Sequence, residues 1–221
     1  LKQFTSEGQR ICSFDHPSVV KGLAFHPNGD GAVLVIRYES GLSLRQHLRQ
    51  HQKDGFPVAP ATIAELTSRL LDALDYIHSK KTIHCDIKPS NIFLGRDFNP
   101  VLIDFGTARH SFHERCFGDD ERLQSFPPYY APLELNPNGT GNVGPWTDIY
   151  ELAAVIYRCL TGGKIPTAED RLNSRDLDPW MPLTEYFEGH RLWPHDFLQL
   201  IDMGLALQPQ QRPPSVREWN K

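Results

Sequence analysis

Long apolar runs are missing from this 221-residue chain. None approaches the roughly 18 continuous apolar residues of a membrane-crossing helix, and the first residues carry no signal-peptide pattern. No membrane segment is therefore expected in this chain. Cysteine is scarce: Cys12, Cys85, Cys116 and Cys159 lie far apart and show no framework spacing. That usage fits a reducing compartment and sets the expectation of a cytoplasmic location. Neither charge dominates, with 23 Lys and Arg against 27 Asp and Glu for a net charge of −4. The basic residues are dispersed, so no nucleic-acid partner is expected. There is no internal repeat, which excludes a solenoid, and no low-complexity tract.

Gly and Pro are plentiful, at 16 and 18 residues, and predict many loops, while 39% hydrophobic residues favour a folded chain. The segment 1–14 reads as a helix broken near Asp15-His16-Pro17. VVKGLAF and AVLVIRY read as two strands, joined by HPNGDG, whose Asn28-Gly29 and Asp30-Gly31 steps suit a tight hairpin. After Gly41 the pattern turns helical. Thr62 is placed as the cap of a helix in which Ile63, Leu66, Leu70, Leu74 and Ile77 recur near a 3.6-residue period. Short strands are expected around IHC, NIFL and VLID, then a long irregular region over 106–146. An apolar helix is expected from about Thr147 to Gly162-Gly163, with Ile149, Leu152, Ala153, Ile156 and Leu160 as core. Residues 164–194 read as surface loop with one short helix, and HDFLQLIDMGLAL as a further helix.

The stretch IHCDIKPSN, Ile83–Asn91, crowds His, Cys, Asp, Lys and Asn together and admits a metal, a thiol or a phosphate-handling reading. Thirteen residues after Asn91 comes Asp104-Phe105-Gly106, at the end of an apolar strand. That order suits phosphoryl transfer, in which one carboxylate sits beside the incoming hydroxyl while an amide and a second carboxylate hold divalent metal. His110, His113 and Cys116 have the spacing of three metal ligands, but no fourth ligand is evident.

These motifs, in this order, resemble the protein kinase family, particularly the bacterial serine/threonine kinases. The resemblance covers nearly the whole chain. It implies an α+β, two-lobed fold: residues 1–40 as an incomplete amino-terminal nucleotide-binding lobe with hinge, and 41–221 as a mainly helical carboxy-terminal catalytic lobe. It implies ATP and Mg²⁺ as cofactors and a protein substrate with a Ser or Thr acceptor. By the same likeness Asp86 orients the hydroxyl and accepts its proton, Lys88 steadies the transferring phosphoryl group, and Asn91 and Asp104 are the metal ligands. His84 packs near the Asp-Phe-Gly turn. Glu134 of PYYAPLEL is expected to pair with Arg212, and Asp148 to hold the catalytic-loop backbone. Ile36 matches the gatekeeper, with Arg37, Tyr38, Glu39 and Ser40 along the adenine edge. Glu7 matches the helix glutamate that pairs with a strand lysine.

Two departures qualify the likeness. The family's glycine-rich phosphate loop and strand lysine precede the glutamate helix, and neither is found in these 221 residues. They are expected upstream of Leu1; a catalytically impaired pseudokinase scaffold is the alternative. Cys85 stands where an arginine usually precedes the catalytic aspartate, and cysteine cannot form a charge-assisted fork with a phosphate. The state of residues 107–128 is therefore expected not to be controlled by a phosphate on Ser111 or Ser125 docking at position 85. Comparing phosphorylated protein with Cys85 and with Cys85→Arg checks this, and a large phosphate-driven gain that depends on position 85 in the native protein would refute it.

Overall fold

The structure, a computed structural model, describes residues 11–28, 31–54, 58–105, 129–136, 142–174 and 177–221. The two β-rich runs form an antiparallel hairpin of β1 (Gly22–Asn28) and β2 (Gly31–Ile36), with Phe25 opposite Leu34 and Asn28 opposite Gly31. The turn positions 29 and 30 lie outside the described residues, as do residues 1–10. A two-stranded sheet is too small to bury both faces, and Leu23, Val33 and Val35 are exposed.

The segment ahead of the hairpin ties it to the rest of the chain. Val19 bridges in parallel to Leu102, with Val20 N–H donating to Leu102 O at 2.9 Å and Leu102 N–H to Ser18 O at 2.9 Å. Ile11, Phe14, Val19 and Val20 are buried in the main core. Leu102 itself belongs to a second antiparallel sheet of β3 (Leu42–Ser43), β4 (Ile92–Leu94) and β5 (Pro100–Leu102), in that order. The strand expected around IHC is not formed, because the His84 and Cys85 N–H groups bond to a side chain instead of a ladder.

Helices make up the remainder: α1 (Leu44–Asp54), α2 (Pro60–Ser79), α3 (Pro145–Thr161), α4 (Ala168–Asn173), α5 (Leu183–Tyr186), α6 (His195–Gly204) and α7 (Val216–Trp219). In α2 the periodic residues Ile63, Leu66, Leu70, Leu74 and Ile77 are all buried. Its start corrects the sequence expectation. Thr62 already lies in the first turn, donating its N–H to Ala59 O at 3.0 Å, and Pro60 opens the helix, where its missing N–H costs nothing. Between residues 164 and 194 two short helices form where one was expected. The Asp202 carboxylate accepts the N–H groups of Leu183 and Thr184 at 2.7 and 3.0 Å and so caps α5.

The α3 helix is buried around its whole circumference, as expected of an element at the centre of a helical layer. It ends at Gly162, whose φ of 68° is the left-handed conformation that a helix stop favours. The core stripe is as read from sequence: Ile149, Leu152, Ala153 and Ile156 are fully buried and Leu160 packs against them. Against it lies α6, and the contact is close at Gly204. A Cβ there would sit 2.8 Å from the Ala153 Cβ and 2.9 Å from the Trp219 ring. Gly204→Ala should therefore overpack this junction and lower stability by about 1–3 kcal/mol. Urea unfolding checks it, the expected outcome being an earlier midpoint at an unchanged slope.

Candidate active site

The loop from His84 to Asn91 has few partners of its own for its backbone, and side chains from elsewhere supply them. Asp148, in the first turn of α3, accepts from His84 N–H through Oδ2 and from Cys85 N–H through Oδ1, each at 2.9 Å. Its Oδ2 also lies 2.7 Å from His78 Nε2, reached from the end of α2. One turn on, Glu151 Oε2 accepts the Ile87 N–H at 2.8 Å. Asp86 N–H donates to His84 Nδ1 at 3.3 Å. Four successive N–H groups are thus held by three side chains, which gives the loop a single path.

That path bends sharply. Cys85 has φ of 61°, a left-handed conformation costly for a non-glycine residue. The Asp148 bonds to the His84 and Cys85 N–H groups supply the compensation. Asp104, at the end of the other functional segment, is left-handed too, with φ of 65°.

The side chains of the loop converge on one carboxylate. Lys88 Nζ lies 2.7 Å from Asp86 Oδ2, and Asn91 Nδ2 donates to the same oxygen at 2.8 Å and to Asp86 O at 3.0 Å. Ile103 N–H donates to Asn91 O at 2.9 Å, which places Asp104, one residue further, beside the same loop. Behind it Phe105 is buried, its ring 4.6 Å from that of His84 and 5.4 Å from that of Phe14. His84 Nε2 reaches Ile103 O at 3.2 Å. Burial pushes the His84 imidazole below its usual value despite nearby Asp148 and Asp86. A neutral ring that donates from Nε2 and accepts at Nδ1 satisfies both bonds.

Asp86, Lys88, Asn91 and Asp104 are therefore brought together. Ile36, read as the gatekeeper, ends β2, and Arg37–Glu39 lie on the link from β2 to β3. Ile36 and Tyr38 are exposed there, and Arg37 Nε is paired with Glu39 at 2.7 Å. Glu7, together with His110, His113, Cys116, Ser111 and Ser125, lies outside the described residues. Among the described residues no group of three or more His, Cys, Asp or Glu side chains could hold a metal.

Glu134 and Arg212 pair as expected. Both side chains are fully buried, with contacts of 2.6 and 3.2 Å from the two guanidinium nitrogens to the two carboxylate oxygens. The guanidinium also donates to Ala206 O, Leu207 O and Trp146 O, and Thr147 Oγ1 donates to Glu134. Sequence reasoning missed Glu151 and His78. An acid inside the apolar run of α3, three residues after Asp148, was the available signal.

A small, incomplete β-sheet in front of a mainly helical lobe, with this loop between them, defines a two-lobed kinase-like fold. The comparisons agree. The Protein kinase domain family matches residues 1–220, and the chain belongs to that family. It is similar to the serine/threonine-protein kinase RUNKEL of Arabidopsis thaliana, 32% identical over 90% of this chain and 14% of the relative. The serine/threonine-protein kinase PknD of Chlamydia caviae is 26% identical over 97% of this chain and 25% of the relative. Among solved structures, "PpkA-294 apo form" superposes with a TM-score of 0.79 at 28% identity, over all of this chain and 73% of that one. The chain thus spans a quarter or less of the length of these two curated relatives.

Arg212→Ala should leave Glu134 buried without its counter-charge and destabilise the protein by about 3–5 kcal/mol. Equilibrium unfolding of the variant measures the loss.

Proposed function

We propose that this chain is the catalytic domain of a cytoplasmic serine/threonine protein kinase, with 1–40 and 41–221 as its two lobes, transferring the ATP γ-phosphoryl group to protein hydroxyls. The observation that carries the reading is the convergence of Lys88 and Asn91 on Asp86 Oδ2, with Asp104 tethered beside them through Asn91.

In this reading the Ser or Thr hydroxyl of the substrate stands against the Asp86 carboxylate. As its oxygen forms the new bond to the γ-phosphorus and the bond to the ADP oxygen breaks, the hydroxyl proton passes to Asp86. Lys88 offers an ammonium to the phosphoryl oxygens, and the Asn91 amide holds Asp86 in one rotamer. Positioning and charge neutralisation supply most of the acceleration. Asn91 and Asp104 offer hard oxygen donors, and two such ligands completed by phosphate and water suit Mg²⁺. The ion, when bound, neutralises phosphate charge. Ile36 and the Arg37–Glu39 segment take the adenine side of the nucleotide, and Glu7 takes the strand lysine.

The alternative reading is a catalytically impaired pseudokinase that acts as a scaffold or regulatory binding module. A Mg-ATP transfer assay on the full-length protein separates the two. Asp86→Asn should lower kcat by about 10²–10⁴-fold, the usual range for a lost general base, and Asp104→Ala should abolish metal-dependent turnover. Undiminished transfer in either variant would remove the mechanism.

A further inference from the structure

The catalytic loop is held from below by two acids on one face of α3, Asp148 and Glu151, and the two differ in setting. Asp148 has a charge-capable partner in His78 at 2.7 Å and accepts two backbone N–H groups. Glu151 is 2% exposed, and its bond goes to the Ile87 N–H at 2.8 Å. Ile87 lies between Asp86 and Lys88, and its own side chain is buried in the core. Fixing this one amide fixes the peptide plane that holds the Asp86 Cα, from which the proton acceptor projects, and that leads through Ile87 into Lys88. An apolar side chain at 151 would leave the amide buried without an acceptor, a situation proteins avoid.

We propose that Glu151 is a positioning residue for phosphoryl transfer, its carboxyl group setting the directions of Asp86 and Lys88 through the Ile87 amide. The proposal rests on the assignment of those two side chains to the transfer step. Burial, then the adjacent Asp148, push the Glu151 carboxyl well above the usual carboxylate range, with Asp86 and Glu134 adding to the effect. The nearby cations are directed elsewhere, Lys88 to Asp86 and Arg212 to Glu134. The carboxyl group presents an oxygen that accepts the amide, and a glutamine offers the same acceptor at the same length. Glu151→Gln is therefore the conservative variant, and Glu151→Leu the one that removes the acceptor while keeping the volume.

The test uses the full-length protein in three forms: native, Glu151→Gln and Glu151→Leu. Peptide and ATP kinetics are measured with each, together with hydrogen exchange of the Ile87 amide. The expected result is a 10- to 100-fold loss of kcat in Glu151→Leu, the size that a misplacement of about 1 Å produces. KM for both substrates should stay within about threefold, a split that marks lost transition-state positioning. Ile87 exchange should quicken in this variant, and Glu151→Gln should restore both kcat and protection. Equal kcat in the native and Leu forms, or a loss in Gln as large as in Leu, would overturn the proposal. If the native protein transfers no phosphate, the kinase assignment fails on that result alone. Ile87 exchange then decides the loop-holding role separately, since protection unchanged in Glu151→Leu would refute it.

Discussion

The site depends on a carboxylate that takes no part in the chemistry proposed for it. Asp148 holds His84 and Cys85 by their backbone N–H groups and is itself fully buried. A carboxyl group in such a place is costly to bury unless its oxygens are saturated with donors. Here the loop backbone and His78 provide those donors, so solvation of the acid and shaping of the loop are one event. The left-handed turn at Cys85 keeps the loop N–H groups on Asp148.

The same economy runs through the rest of the lower lobe. Residues 129–136 meet the helical core through Glu134, which Arg212 and Thr147 satisfy from two sides. The guanidinium then saturates three carbonyls near the ends of α3 and α6. The Asp148 and Glu134–Arg212 contacts therefore close junctions between segments distant in sequence. Apolar packing around α3 supplies the driving force, and these polar junctions select one arrangement of the segments it gathers.

Much of this was legible in the sequence because the chemistry of the loop is written in adjacent residues. Asp86, Lys88 and Asn91 lie within six positions, and the Glu134–Arg212 and Asp148 roles followed from their place in ordered motifs. What was not legible depended on distant partners. The IHC segment has strand-like composition, yet its amides bond to α3, which local propensity cannot anticipate. Thr62 is a good cap by residue type, but Pro60 two positions earlier sets the helix start. Glu151 looked like any charged residue on a helix until its burial and its bond to Ile87 were seen together.

The parallel bridge between Val19 and Leu102 has a mechanical meaning. Leu102 precedes Asp104 by two residues, and its amide and carbonyl are both engaged by the segment entering the hairpin. The hairpin and the strand that presents Asp104 are thus geared together at their roots.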